Sequence, residues 1–340
     1  MDANRLNVSV TPTEPLYVGL RRAQSSRIDV AKDKLDLARS DTDAVAVFSN
    51  DAAGIDQIVR LMLAARPTTL AIESTGGLER PLMEALLEAN LPVALVHPGR
   101  VRYFAKGLGI LAKTDRIDAG VLVRFAKLAA PRLAEKRSKT EADLRDLTAC
   151  RRQLVATRTQ QSNRRGATVN QAARKSIDAV LAALEKQIAA LDKQIRRLID
   201  ADDDFRHLDQ LLRSVPGVGP ALSATLAADL RELGDADRQR VSALAGVAPF
   251  PDDSGAVHGK RSIRGGRAQV RNTLYMAALT SMRCNPVIKA FAQRLKSMGK
   301  VNKVIIVACM RKLLSLLNAM VRDGLTWNEL NVVKNLAMTH

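Results

Sequence analysis

Aromatic side chains make up only 3% of the 340 residues, with a single Trp. Stacking of successive bases on protein rings therefore cannot dominate any nucleic-acid binding. The three cysteines, Cys150, Cys284 and Cys309, are far apart and odd in number. They exclude a disulfide framework and fit a reducing cytosol. The four histidines, His97, His207, His258 and His340, are scattered, and no zinc-type Cys/His spacing appears. No apolar run reads as long enough to span a bilayer, and Met1 to Thr13 lack a basic-then-apolar signal pattern. The expectation is a cytoplasmic protein with no membrane partner. Acids are also short, 35 Asp plus Glu against 53 Lys plus Arg, a formal charge of +18. That excess favours a polyanionic partner, most simply nucleic acid, and association with the nucleoid.

The length accommodates two or three domains. Residues 1–25 read as a leader carrying Pro12 and Pro15. Over 26–135, strands alternate with helices, the pattern of an α/β layer fold. Ser26–Ala31, Lys34–Arg39 and Ala44–Ser49 read as a meander of short strands. Helical spacing follows at 54–65, a buried-type strand at 68–73, a helix at 78–89 entered through Gly76-Gly77, and a strand at 93–96. Residues 115–127 read as an amphipathic helix with Ile117, Val121, Leu122 and Phe125 on one face. Over 136–202 the chain becomes charged and nearly free of Gly and Pro. Leu181, Leu184, Ile188, Leu191, Ile195 and Leu198 form a heptad seam, and 162–175 interrupts it. An intramolecular helical hairpin and a dimerising coiled coil both fit. Over 203–325 a mostly α domain follows, and 326–340 form a tail. Pro216-Gly-Val-Gly219-Pro220 between two apolar helices has the pattern of a helix-hairpin-helix, in which Gly217 and Gly219 leave backbone N–H groups able to face a phosphate.

Four acids occupy awkward positions. Asp29 lies among apolar residues of the first strand, Glu73 ends an apolar strand, and Asp115 and Asp118 open an apolar-faced helix. Carboxylates near a core are costly unless paired or bound to metal. Asp115 and Asp118, at i and i+3, share a helix face. An isolated Asp-x-x-Asp reads as a helix cap; an Asp, a Glu and then Asp-x-x-Asp on successive elements reads as a carboxylate site for Mg²⁺ or Mn²⁺ that handles phosphates. Asp33, Asp36 and Glu79 read as residues of solvated faces. Ser254, beside Gly255, reads locally as a turn serine. Lys260, Arg261, Arg264, Arg267 and Arg271 follow with no acid between His258 and Arg271, a set able to hold phosphates or to form a solvated basic face.

Taken together, three blocks resemble the DEDD-type insertion-sequence transposases, the IS-one-ten and IS-eleven-eleven families. The first is Ile28-Asp29-Val-Ala-Lys32-Asp-Lys34-Leu-Asp36. The second runs from Glu73-Ser-Thr-Gly-Gly77 through Val96-His-Pro98 and Arg102-Tyr-Phe104-Ala105 to Lys113-Thr-Asp115-Arg-Ile-Asp118. The third spans Pro216-Gly-Val-Gly219, Ala245-Gly-Val-Ala-Pro249, Ser254-Gly255 and Gly259-Lys260-Arg-Ser-Ile263 to Arg271. The resemblance covers about residues 26 to 324. It implies a RuvC-like domain of RNase H fold, a coiled-coil linker and a C-terminal transposase domain. It implies that Asp29, Glu73, Asp115 and Asp118 bind the metal and that Ser254 is the nucleophile, attacking DNA to give a phosphoserine link. Lys113, Gly217, Gly219 and the basic run are then the nucleic-acid contacts. It further implies double-stranded donor and target DNA, a structured guide RNA from the element's ends (a bridge RNA), and homodimers assembling into tetramers. The leader is longer and more basic than the family pattern. A Holliday-junction endonuclease using water, and a non-catalytic nucleic-acid-binding protein, are the competing readings.

Overall fold

The computed structural model describes residues 25–39, 45–110 and 131–330 except 252, 255, 256 and 260, together with Val121, Phe125 and Leu128. The chain divides into two compact units, residues 1–136 and 137–340.

In the first unit, β1 (Ser25–Val30), β2 (Lys34–Arg39) and β3 (Val45–Ser49) form the expected antiparallel meander. β4 (Thr69–Glu73) pairs parallel with β1, and β5 (Val93–Val96) parallel with β4. The strand order is β3-β2-β1-β4-β5. Side chains alternate across this sheet. Ile28, Val30, Leu35, Leu37, Leu70 and Ile72 share one face with Ile58 and Met62 of α1 (Ala52–Ala65) and Leu82 and Leu86 of α2 (Arg80–Glu88). Each such burial contributes about 1.5–3 kcal/mol, which fixes the face of every strand residue. On the opposite face, Ala71 and Val96 pack with Val101 and Ala105 of α3 (Pro98–Gly107) and with Val121 and Phe125. This mixed α/β layer is consistent with the RNase H-like fold expected above.

Two local features depart from the expectation. The sequence pattern predicts no helix at 98–107, yet Pro98 starts α3 and the His97 Nδ1 accepts from the Gly99 N–H at 3.0 Å. Glu79, expected on a solvated face, is buried. Gly76 and Gly77 turn the chain with φ of 83° and 122°. The Glu79 carboxylate then accepts from the Thr75 N–H and hydroxyl and from the Gly77 N–H, at 3.1, 2.9 and 2.8 Å. Helix α2 consequently begins at Arg80, after the turn.

In the second unit, α4 (Lys139–Ala167) and α5 (Gln171–Ala201) form an antiparallel hairpin. Arg151 pairs with Asp192 and Arg165 with Asp178, so later residues of α4 meet earlier residues of α5. The turn falls inside the predicted interruption, where the Asn170 side chain accepts from the Ala173 N–H. At the hairpin's base, Leu144, Ile195 and Ile199 pack on Ala224, Ala227 and Ala228 of α7 (Pro220–Asp229). A larger core joins α6 (Asp203–Arg213), α7, α8 (Arg238–Leu244), α9 (Ala268–Cys284), α10 (Pro286–Ser297) and α11 (Asn302–Asp323). By length and composition alone α11 could cross a membrane, but half of its apolar window is buried inside the unit, as in a core helix. Cys309, Met310, Leu313, Leu314 and Leu317 are fully buried core residues, and burial raises the Cys309 pKa to about 11.

Burial acts to raise the Glu79 pKa, but hydrogen bonds from its own N–H, Gly77 and Thr75 outweigh it, and the net shift is downward from 4.5. A depressed carboxylate stabilises the fold above its ordinary pKa, and that contribution is lost as the pH falls through the folded value. Glu79→Gln is expected to cost about 1–3 kcal/mol near neutral pH. The gap between variant and native protein should narrow in acid, measured by urea denaturation at about pH 7 and about pH 4.

Candidate active site and nucleic-acid interface

The β1–β4 ladder pairs Ile28 with Ile72. The next residue on each strand is therefore in step with the other, and these are Asp29 and Glu73. In-step residues of neighbouring strands project to the same face. On the other side of β1, Asp36 of β2 pairs directly with Asp29. Asp36, Asp29 and Glu73 thus form one row across three strands, flanked by Val47 on β3 and Val96 on β5. This is the sheet face that carries Ala71 and Val96 beneath α3. The Asp29 side chain is 43% exposed and open to solvent.

Cations accompany the row. Arg27 Nη2 lies 3.6 Å from Asp29 Oδ2, and Lys34 Nζ lies 2.7 Å from Asp36 Oδ2. Asp36 is half-buried and its Oδ1 has no hydrogen-bond partner among the described residues, which corrects the expectation of a solvated face. Asp33 is exposed as expected. Asp115, Asp118 and Lys113 lie outside the described residues. Among the described residues, no three His, Cys, Asp or Glu side chains come together closely enough to hold a metal.

Ser254 is exposed. It ends β7 (Asp253–Ser254), which pairs antiparallel with β8 (Val257–His258), Ser254 opposite Val257. This pair is nested inside a second one, β6 (Pro249–Phe250) with β9 (Ser262–Ile263). The serine is therefore carried on a two-stranded ribbon that leaves the helical core after α8 and returns before α9.

The basic run divides by partner. Arg261 and Arg264 are exposed, and the Arg264 guanidinium sits 5.6 Å from the Phe250 ring centroid at the ribbon's base. Arg267 donates two bonds to the buried Glu232, at 2.6 and 2.8 Å. Arg271 donates to the carbonyls of Gly265, at 2.7 Å, and Gly246, at 3.3 Å. Arg267 and Arg271 thereby hold the start of α9 to the preceding core. Lys260 lies outside the described residues. The two glycines of the predicted hairpin also separate. At Gly217 (φ 95°) a Cβ would stand 2.3 Å from Ser281 Oγ, so this residue permits close packing on α9. Gly219 caps the N-terminus of α7 with open space around it. Sequence reasoning missed Arg27 and Asp36 as neighbours of Asp29. Their signal was the two-residue strand period: Arg27 and Asp29 fall on one face, and a tight β1–β2 turn brings Asp36 opposite.

A mixed sheet with acids in step on neighbouring strands is consistent with an RNase H-like DEDD transposase, an enzyme class that cuts and transfers DNA strands. Comparison with known proteins gives the family. Residues 28–173 match the model of the IS110-type DEDD transposases, and residues 209–293 match that of the transposase IS116/IS110/IS902 family. The chain is 30% identical over 314 residues to the pilin gene-inverting protein of Moraxella bovis, covering 87% of this chain and 95% of that protein. The pilin gene-inverting protein of Moraxella lacunata matches with the same identity and coverage. An uncharacterized 43.6 kDa protein of insertion element IS110 from Streptomyces coelicolor is 31% identical over 122 residues, 34% of this chain and 29% of that one. The chain belongs to the IS110 family of insertion-sequence transposases, and DNA is its substrate.

The division of the basic run sets two variants apart. Arg267→Ala should cost about 3–5 kcal/mol in chemical denaturation, because it removes both charge-assisted bonds from a buried carboxylate. Arg264→Ala should change stability by less than about 1 kcal/mol while lowering the salt slope of DNA binding by about 1, read from filter binding across ionic strengths.

Proposed function

We propose that this transposase cuts and rejoins donor and target DNA through a covalent phosphoserine at Ser254, with Asp29, Glu73, Asp115 and Asp118 as its metal-binding carboxylates. The observation that carries this reading is the in-step pair Asp29 and Glu73, two acids on one sheet face beside the strand ends. Their hard oxygen donors suit Mg²⁺ or Mn²⁺. Val121 and Phe125 are buried under that same sheet face. Asp115 and Asp118 join the pair in this reading on the strength of the family resemblance. A divalent cation, when bound, supplies Lewis-acid stabilisation of charge on a phosphate oxygen.

The remaining chemistry belongs to the chain. Ser254 Oγ attacks the phosphorus, the bond from phosphorus to the 3′-oxygen breaks, and the serine proton passes on balance to the departing 3′-hydroxyl. One phosphodiester has replaced another, so the bond energy is kept. The 3′-hydroxyl of the partner strand then attacks the phosphoserine and restores the Ser254 hydroxyl. An exposed serine on a ribbon suits this step, since the DNA phosphate must reach it. Arg261, Arg264 and Lys260 hold flanking phosphates. The Moraxella relatives are named for inverting a gene, an outcome that needs DNA both cut and rejoined; this favours a recombinase over a nuclease that uses water. From the family resemblance we extend the reading to a structured guide RNA that selects donor and target by base pairing, and to dimers assembling into tetramers.

A covalent-trapping assay tests the mechanism. Protein co-expressed with its flanking RNA is mixed with labelled donor and target DNA and Mg²⁺, then run on a denaturing gel. A protein–DNA adduct is expected that disappears in Ser254→Ala, falls at least about 100-fold in Asp29→Ala, and is absent without the RNA. Free cut ends that persist in Ser254→Ala, with no adduct, would sink the serine mechanism.

A further inference from the structure

Arg27 is an arginine in a place where strand residues are normally apolar. It is only 4% exposed, and its Nε and Nη1 have no hydrogen-bond partner among the described residues. Leaving a buried guanidinium under-satisfied is costly, so an arginine at this position calls for a compensating role. The ladder shows what surrounds it. Arg27 pairs with Ala38 on β2 and with Ala71 on β4, two small residues that leave room for a long side chain. It lies one rung below the acidic row, on the same face. Asp29 is two residues on along its own strand. Asp36 is two residues from Ala38, and Glu73 two from Ala71. These are the diagonal neighbours that long side chains reach across a sheet. Arg27 therefore stands under the centre of three carboxylates, touching Asp29 at 3.6 Å. The Asp36 Oδ1 is likewise buried and without a hydrogen-bond partner among the described residues.

We propose that Arg27 is a positioning residue of the acidic row: a fixed internal cation that offsets the mutual repulsion of Asp29, Asp36 and Glu73 and holds Asp29 ready for the divalent cation. The role toward the cation rests on the tetrad reading above; the charge balance with Asp36 does not. Three like charges on adjacent strands repel, and sheet pairing alone cannot relieve that, because register fixes their spacing. Lys34, on the exposed rim, serves Asp36 from outside, whereas Arg27 serves the whole row from beneath.

The test is thermal unfolding of full-length protein, first in chelator and then with Mg²⁺ added. The variants are Arg27→Met, Arg27→Lys, Asp36→Asn and the Arg27→Met/Asp36→Asn pair. In chelator, Arg27→Met should melt about 5 °C lower than the native protein, and Arg27→Lys should recover most of that loss. Asp36→Asn should lower the Tm in the native background and raise it in the Arg27→Met background, a sign reversal that loss of packing does not produce. Added Mg²⁺ should raise the Tm of Arg27→Met more than that of the native protein, since the cation replaces the missing charge. If Arg27→Met does not fold, recovery on adding Asp36→Asn supports the proposal, and failure of both Asp36→Asn and Arg27→Lys to fold overturns it. An Arg27→Met protein that melts with the native one, or the same sign for Asp36→Asn in both backgrounds, also overturns it. A sign reversal in chelator with no Mg²⁺ response in any variant leaves the charge balance standing and removes the metal reading of the row.

Discussion

The candidate active site depends on one register: β1 and β4 run parallel with Ile28 against Ile72. From that single pairing, Asp29 and Glu73 fall in step, and Ile28, Ile72, Val30 and Leu70 fall together on the opposite face. A slip of one residue would send the acids into the apolar layer against α1 and α2 and the isoleucines out. The register is thus held by the same burial that excludes carboxylates from the core. Ile28, Leu70 and Ile72 are fully buried, and each opposes such a slip. The chemistry at the sheet edge is positioned by apolar side chains that never touch it.

A second constraint organises the C-terminal unit. Helix α7 is buried on all sides from Leu222 to Asp229, as a helix apolar all round must be. Its surroundings also bury two acids. Asp209 accepts from the Ser223 hydroxyl at 2.6 Å and from Arg196 at 2.7 Å. Asp229 sits at the C-terminal end of α7, where the helix dipole disfavours a carboxylate. Arg145 and Arg152 approach it at 3.7 and 3.8 Å, and Arg137 donates to the Ala228 carbonyl at the same end. Helix α4 is thereby tied to α7 by charge as well as by Leu144, while Arg196 ties α5 to Asp209 of α6. A net charge of +18 is consequently not all available to a polyanion. A share of the arginines is spent on buried acids.

The sequence made the sheet legible because β1 to β5 carry bulky residues at a period of two, and each strand is bounded by turn residues. It made Asp29 and Glu73 legible because a carboxylate at the end of an apolar strand conflicts with burial and so stands out. It hid the role of Glu79, which reads as a residue of a solvated face beyond the Gly76-Gly77 entry turn; the bonds it accepts come from Thr75 and Gly77, visible only once the chain turns. It hid the split in the basic run for a different reason. Arg261, Arg264, Arg267 and Arg271 look equivalent in series, but the partner of Arg267 is Glu232, 35 residues earlier, and such pairings leave no local pattern. Arg27 was missed because one basic residue ahead of an acid reads as a surface pair, and only the small partners Ala38 and Ala71 mark it as buried.

Acids and bases therefore do opposite work in the two units. In the second, the buried acids are structural and arginines neutralise them from the rim, while Arg261 and Arg264 stay exposed beside the ribbon that carries Ser254. In the first, the acids are the candidate site and the buried cation is the support. A row of carboxylates that had to await a metal ion before it could form would couple folding of the sheet to metal supply. With Arg27 beneath and Lys34 beside the row, the sheet can close on its own. The same cations weaken the field that attracts a divalent ion, so binding at the row calls for oxygen donors beyond the strands themselves. In the proposed tetrad those come from Asp115 and Asp118 and from the DNA phosphate, which makes the assembled complex, rather than the free sheet, the state in which the site is complete.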